Sequence, residues 1–243
     1  MSQLNPITNN LVEKLYSSIT SGELKLSEHE LRGVIRDAKK LPYQHQALSI
    51  EGLCLILKGD FEAGCVLCEK AITLAPLEPA SWLNFVVLLN NLAKFQRVID
   101  VLKRAVRFRD FDIARQCIVN AGFWLDYDLL KEAYMVISQF ENELPTDVKS
   151  AVKTYCFLRE DETLAASLQR TARIVMSIAE QEGLKGTSSY VEKDGDGTIA
   201  FNFRIKTEDA NFLSHLNDRI VKEMVQAGLE SSNCLAFFEA EEA

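Results

Sequence analysis

Apolar residues recur at every third or fourth position through most of residues 9–182. This spacing puts them on one face of a helix, and turn residues interrupt it at regular intervals. In residues 48–76, two apolar stripes flank the pair Gly59-Asp60, and Pro76 closes the segment. We therefore predict antiparallel helix pairs. The predicted helices span residues 9–21, 27–40, 45–58, 60–74, 79–92, 95–108, 112–125, 128–142, 146–158 and 162–182.

The pattern changes after Gly186. Residues 187–192 and 198–205 alternate between apolar and polar side chains, which predicts two strands, and the KDGDG segment between them predicts a hairpin turn. A helix capped by Thr207 and ended by Gly228 follows, and residues 235–238 are interpreted as a third strand. We thus predict a helical repeat domain at residues 1–183. Residues 187–243 form a small β-β-α-β unit that packs on the helix at 162–182.

The helix pairs repeat with a period of 34 to 35 residues, marked by Pro42, Pro76, Asp110 and Pro145. Equivalent positions carry residues of the same kind. Small residues permit close helix crossings and large ones fill the gaps, so Trp82 is predicted to be buried. The matching residues are Gly52, Gly59, Phe61 and Ala71 in the first repeat, Trp82, Phe95 and Ala105 in the second, and Ala121 and Ala133 in the third.

This arrangement, best matched over residues 45–147, resembles the tetratricopeptide repeat (TPR) family. The resemblance implies a mainly α fold class, a TPR-like α-solenoid of helical hairpins. It also implies a ligand groove on the concave face, made by the first helix of each repeat. Carried over residue by residue, the implied partner-binding positions are Asn84, Val87, Asn90, Asn91, Arg115, Ile118, Gly122 and Asp126. The first repeat has Ser49, Leu53 and Ile56 at these positions. This departs from the family's carboxylate clamp, argues against binding of a C-terminal carboxylate by that mode, and favours a more apolar or a family-specific ligand.

Composition narrows the classes of function. The chain has 243 residues, of which 47% are apolar and 26% charged, as in ordinary soluble globular proteins. Its net charge of −8 disfavours nucleic-acid binding. No run approaches the roughly 20 apolar residues of a membrane span. The first ten residues lack a basic stretch followed by an apolar one, so we expect no secretory signal and a cytoplasmic protein.

Candidate chemistry is sparse. The six cysteines fall mostly on apolar helical stripes and are interpreted as reduced, buried thiols, including the pair Cys65 and Cys68. Asp194 and Asp196 have the spacing of a calcium loop, but Phe203 stands where the closing carboxylate is needed, so a hairpin turn is favoured. We find no catalytic, cofactor or metal motif and expect no enzyme activity, cofactor or metal site.

The densest basic stretch allows two interpretations. It is either a solvated face with internal ion pairs, or a patch for an acidic peptide or phosphate, since guanidinium groups bind carboxylates through two parallel bonds. Its residues are Lys103, Arg104, Arg107, Arg109 and Arg115.

Three functions are compatible with this sequence. The first is an adaptor or chaperone-like scaffold that binds a protein segment in a helical-repeat groove. The alternative is a cognate inhibitor, such as an immunity protein or antitoxin, whose acidic surface neutralises a basic effector. The third is an enzyme or ligand sensor centred on the C-terminal unit. The expected partner is a protein or peptide rather than nucleic acid or membrane, and a homo-oligomer through the C-terminal unit is a further candidate.

Overall fold

A computed structural model describes residues 6–140, 143–229 and 232–241, with side chains from residue 9 onward. The described residues form eleven α-helices, a single 3-10 helix and a three-stranded sheet. The chain divides into two compact units, Met1–Lys94 and Phe95–Ala243.

The first unit is helical. Its helices are α1 Pro6–Ser21, α2 Glu28–Ala38, α3 Gln44–Lys58, α4 Phe61–Leu74 and α5 Pro79–Asn91. Trp82 is 4% exposed, as predicted, and its indole N–H donates a hydrogen bond to the Pro76 carbonyl at 3.0 Å. The residue that closes one helix pair is thus bonded to the helix that opens the next.

Helices α3 and α4 form the closest hairpin of this unit. An added Cβ at Gly64 would lie 2.5 Å from the carbonyl oxygen of Gly52, and one at Gly52 would lie 2.6 Å from the Cys68 sulfur. Neither position can hold a larger side chain without separating the helices. The pattern of small residues therefore marks a true close approach, as the sequence predicts.

Helix α1 contacts both α3 and α5, in addition to its neighbour α2. Its apolar stripe of Leu11, Leu15 and Ile19 is buried. The side-chain amide of Asn91 donates to the Ile19 carbonyl at 3.1 Å, which holds the end of α1 to the end of α5. Helix α1 therefore lies along the first helices of the two following pairs.

The second unit combines helices with the sheet. Its elements are α6 Phe95–Ala105, the 3-10 helix Val106–Phe108, α7 Phe111–Trp124, α8 Tyr127–Ile137, α9 Thr146–Leu158, α10 Glu162–Gln181, β1 Gly186–Lys193, β2 Ile199–Ile205, α11 Ala210–Gln226 and β3 Cys234–Ala240. The strand order is β1-β2-β3, with β1 antiparallel and β3 parallel to β2. Helix α11 is the crossover between the two parallel strands.

The core of this unit forms where the sheet meets the helices. Phe203 of β2 stacks on Trp124 of α7 with ring centroids 4.9 Å apart, and it meets Phe238 of β3 edge-on at 5.5 Å. Helix α10 contacts β2, β3 and α11. The predicted packing of the C-terminal elements on the long helix is therefore confirmed.

The hairpin turn between β1 and β2 is also confirmed. The N–H of Gly197 donates to the Asp194 carbonyl at 3.1 Å, and Gly197 has a φ of 91°, a conformation that glycine adopts without strain. The Asp196 carboxylate accepts a bond from the Thr198 N–H at 2.9 Å. This bond holds the pKa of Asp196 below its usual value.

Most predicted elements agree with the structure. Residues 9–182 are mainly helical, and the described part of residues 45–145 contains no strand. Helix α8 ends at Ile137 rather than residue 142; residues 138–139 form a turn, and residues 141–142 lie outside the described residues. The third strand is longer than predicted. The mainly helical fold with a small C-terminal sheet is thus confirmed, whereas the TPR-like solenoid and the division at residues 183–187 stay predictions.

Candidate binding cleft

Helices α1, α3 and α5 of the first unit enclose a cleft of about 260 Å³. Val12, Ile50 and Ala80 supply apolar lining, one residue from each helix. Polar lining comes from Asn9, Glu13, Gln46, Ser49, Glu78, Ser81 and Asn84. The cleft thus lies where the first helices of the successive pairs meet.

Several of these polar groups have no partner within the described residues. The hydroxyls of Ser49 and Ser81 and the side-chain amide of Asn84 make no hydrogen bond there. Ser49 and Ser81 are only 7% and 6% exposed. Their hydroxyls are still reached by solvent, because among the described residues the one side-chain polar atom that is both buried and unpartnered is the Nε of Arg115. These groups can therefore exchange bonds with water for bonds with a ligand.

The charge of the cleft is negative. Its charged lining residues are Glu13 and Glu78, and within the described chain neither carboxylate forms an ion pair. Carboxylates, hydroxyls and an amide can bond the backbone of an extended peptide and accept a bond from a lysine or arginine. The arrangement is therefore suited to binding a segment that carries a basic side chain.

The structure places the four predicted α5 residues in different environments. Asn84 lines the cleft. Asn91 donates to the carbonyls of Ile19 and Val87, at 3.1 and 2.9 Å, so its amide stabilises the packing of α1. Val87 and Asn90 are half-buried on the same helix. Of this group, Asn84 is the residue presented to a ligand in the cleft.

In the second unit the predicted positions mostly stabilise the fold. Ile118 and Asp126 are buried, and an added Cβ on Gly122 would lie 2.8 Å from the Cβ of Ala151. Asp126 caps α8 by accepting from the Leu129 N–H at 3.1 Å. The implied assignment of Ile118 and Asp126 to an open binding surface needs correction, because neither side chain is available at the surface.

Arg115 is partly exposed but already paired. It bonds the Asp147 carboxylate at 3.1 Å. Burial raises the pKa of Asp147, but the hydrogen bond from Arg115, bonds from the backbone N–H groups of Val148 and Asp147, and the charge of Arg115 together leave that pKa below its usual value. A partner carboxylate would therefore have to compete with Asp147 for this guanidinium.

The basic stretch is largely engaged in internal bonds. Lys103 bonds the Asp126 carboxylate at 2.7 Å, and the Nε of Arg104 donates to the Asp100 carbonyl at 3.4 Å. Arg107 and Arg109 are exposed and have no partner among the described residues. The interpretation as a solvated face with internal pairs therefore applies to Lys103, Arg104 and Arg115.

The cysteines are packing residues. Burial raises the pKa of Cys54 to about 12 and also raises those of Cys68 and Cys117. These thiols stay protonated near neutral pH, which removes the thiolate needed for nucleophilic attack or metal ligation. Among the residues that the structure describes, no group of three or more His, Cys, Asp or Glu side chains could hold a metal ion.

Glu13, Glu78 and Ser81 were not predicted from the sequence. The repeat pattern is best matched over residues 45–147, so it does not place α1 in a wall of the groove. Gly22 is the residue in the sequence that could have indicated the packing of α1 on α5. An added Cβ at Gly22 would lie 2.4 Å from the Asn91 carbonyl oxygen. A glycine that ends α1 and also permits this approach brings α1 against α5.

Comparison with known proteins identified no relative. No family model matches the chain, and neither a curated protein nor a solved structure matches it significantly. Within the described residues, no helix is long and apolar enough to cross a membrane.

Proposed function

We propose that this chain is a protein-interaction scaffold that binds a segment of a partner protein in the cleft between α1, α3 and α5. The observation that carries the proposal is the set of unpartnered polar groups, Ser49, Ser81, Asn84, Glu13 and Glu78, around an apolar floor. Such lining suits an extended segment with a basic side chain. In this proposal the protein acts as a cytoplasmic adaptor or chaperone-like protein.

A recurring backbone turn supports the TPR-like part of the proposal. Helices α3, α5 and α7 are each followed within two residues by a residue in the left-handed conformation, namely Gly59, Ala93 and Leu125, with φ values of 103°, 51° and 53°. These positions are 34 and 32 residues apart. A repeated helix end at this period is typical of stacked helical hairpins.

The test begins with peptides selected from a displayed random heptapeptide library against the full chain. We expect the selected peptides to carry lysine or arginine. Calorimetry then compares wild type with Glu78→Lys, which replaces the attracting carboxylate with a repelling charge. Loss of a charge-assisted bond of about 1.5–3 kcal/mol corresponds to roughly ten- to over a hundredfold weaker binding.

Two further variants complete this test. Asn84→Ala should weaken binding by about three- to tenfold, because it removes a neutral hydrogen bond. Glu208→Lys makes the same charge change as Glu78→Lys at an exposed site in the second unit and should bind like wild type. If Glu78→Lys also binds like wild type, the cleft is not the binding site.

A second candidate, the cognate inhibitor, is favoured by the charge distribution. Residues 95–243 contain 25 acidic and 18 basic residues, a net charge of −7, whereas residues 1–94 have 10 acidic and 9 basic. An acidic second unit would attract a folded basic effector at long range. For such a partner, the association rate should fall steeply with added salt. A rate insensitive to salt would exclude this function.

A further inference from the structure

The two edge strands of the sheet in the second unit, β3 and β1, differ in whether a side chain bonds their outer backbone groups. On β3, the side-chain amide of Asn217 donates to the Phe238 carbonyl at 3.2 Å, and its oxygen accepts from the Phe238 N–H at 2.7 Å. This side chain bonds both backbone groups of Phe238, as a neighbouring strand would, and so blocks the middle of the β3 edge. No described residue makes a comparable bond to the outer backbone of β1.

The hydrogen bonds at the turn show which backbone groups of β1 are unpaired. In an antiparallel pair, alternate residues direct both backbone groups at the partner strand. The Asp194 N–H donates to the Thr198 carbonyl at 2.8 Å, while the Ile199 N–H points the other way, to the Asn233 carbonyl at 2.8 Å. Because Asp194 faces β2, every second residue before it, Glu192 and Tyr190, also faces β2. The alternate residues Ser189, Val191 and Lys193 therefore direct their N–H and C=O groups away from β2.

These outward-facing residues border a second cleft, of about 320 Å³, between β1 and α9. Ser189, Val191 and Lys193 all line it, and α9 supplies Ser150, Lys153, Thr154 and Phe157. The strand segment from Ser189 to Lys193 extends about 13 Å, the length of four residues of an added strand. The unpaired backbone of β1 is therefore adjacent to a space that an extended chain can enter.

We propose that an extended, acidic segment of a partner protein adds to β1 as a fourth strand, in the cleft between β1 and α9. The charged lining residues are Lys153 and Lys193, and neither is ion-paired within the described chain. They stand out in a unit whose net charge is −7. Backbone bonds to β1 provide affinity in this mode of recognition, and the contacts to α9 provide specificity.

The spacing on α9 defines the side chains of the segment. Lys153 and Phe157 are four residues apart and so about 6 Å apart along the helix. Residues two apart on a strand face the same side and are separated by about 6.6 Å. The segment therefore directs one apolar and one acidic side chain, two positions apart, at Phe157 and Lys153. This site is separate from the cleft of the first unit, so either proposal can fail without the other.

The probe is a blocked seven-residue peptide with threonine at odd positions and valine, glutamate and valine at the even positions. Amide hydrogen exchange in the full chain is followed by NMR. In the free protein we expect fast exchange at Ser189, Val191 and Lys193 and slow exchange at Tyr190 and Glu192. Saturating peptide should slow exchange at least tenfold at the first three amides and leave the other two unchanged.

Three comparisons test the chemistry. A peptide with lysine in place of glutamate should bind at least tenfold more weakly. Of two acidic peptides N-methylated at either the odd or the even residues, one should fail to bind, because it lacks the donors that face β1. Lys153→Glu should reverse the preference between the acidic and basic peptides. Lys222→Glu makes the same charge change at an exposed position of α11 and should leave the preference unchanged.

Any of three results would overturn the proposal. One is the absence of added protection at Ser189, Val191 and Lys193 in millimolar acidic peptide. Another is equal binding of the acidic and basic peptides. The third is protection of these amides that rises with protein concentration without any peptide, because a second copy of the chain would then occupy the edge.

Discussion

The hairpins α3–α4 and α7–α8 share one turn but reach it by different means. In both, the first helix ends at a left-handed residue, and the N–H of the following aspartate donates at 2.9 Å to a carbonyl near the helix end: Asp60 to Leu55, and Asp126 to Ala121. Gly59 adopts this conformation freely, whereas Leu125 holds it with a side chain that is 1% exposed.

The two hairpins also differ in what stabilises them. Helices α3 and α4 approach through facing glycines, Gly52 and Gly64. At the start of α8, by contrast, the buried Asp126 caps the helix and bonds Lys103 of α6. The same turn geometry can thus be stabilised by glycines, which permit a close helix approach, or by tertiary contacts of larger side chains. The two solutions should respond to different substitutions.

The largest expected effect is at the glycine contact. Gly64→Ala should lower the free energy of unfolding by about 3 kcal/mol, because its methyl group would meet backbone atoms that cannot move aside cheaply. Gly33→Ala in α2 is the matched control, since nothing lies within 4 Å of its added Cβ. It should raise stability by about 0.5–1 kcal/mol in denaturant melts. Equal effects at the two glycines would contradict the close approach.

The next effect is at the aspartate of the second hairpin. Asp126→Ala should cost about 2 kcal/mol, since it removes a helix cap and the ion pairs of a buried carboxylate with Lys103 and Arg173. Asp110→Ala removes the cap of α7 alone and should cost about 1 kcal/mol. Chemical denaturation of both variants gives the comparison. A loss at Asp126 no larger than at Asp110 would mean that the ion pairs with Lys103 and Arg173 add nothing.

Smaller changes in stability are expected at the turn residues Gly59 and Ala93, and the two changes should have opposite signs. Gly59→Ala should lower stability by about 1 kcal/mol, because alanine is strained at a φ of 103° although its Cβ would touch nothing. Ala93→Gly should raise stability by up to about 1 kcal/mol, because it relieves strain at a φ of 51°. Thermal melts of the two variants should shift in opposite directions. Shifts in the same direction would argue against a shared turn.

The smallest effect is on thiol labelling. In the native protein Cys156, which is half-buried, should react first with a neutral thiol reagent, while Cys68 and Cys117 react slowly. Gly64→Ala should speed labelling of Cys68, which packs beside Gly52, but leave Cys117 unchanged. Mass spectrometry of the labelled peptides measures each rate. Equal acceleration at both cysteines would indicate that the hairpins open together.

The elements that the sequence predicted correctly are those determined by interactions between residues close together in the chain. Helical periodicity and the Gly59-Asp60 turn gave the helix pairs, and alternation with KDGDG gave the strands and their hairpin turn. The turn at Leu125 had no comparable signal, because burial of its side chain holds that conformation. The end of α8 at Ile137 was missed because the apolar pattern continues to Phe140, whose ring packs on Phe111 at 4.9 Å.

The residues of the cleft could likewise be predicted only in part from the sequence. Asn84 was predicted because first helices of stacked pairs face one groove. Glu13 was missed because the register of one repeat does not reveal that α1 lies along α3 and α5. Ile118 and Asp126 were assigned to a binding surface by resemblance, but both are buried, and the carboxylate of Asp126 bonds Lys103, which is 23 residues away in sequence. Local spacing therefore predicts which face a residue takes, and tertiary packing determines whether that face is open.

Photo-crosslinking tests the central claim most directly. A library-selected peptide carrying a photoreactive group is irradiated with the full chain, and mass spectrometry reads the modified residues. The account predicts adducts at residues lining the first cleft, such as Val12, Ile50 and Ala80, and their loss in Glu78→Lys. Adducts confined to residues 95–243 and unaffected by Glu78→Lys would contradict it.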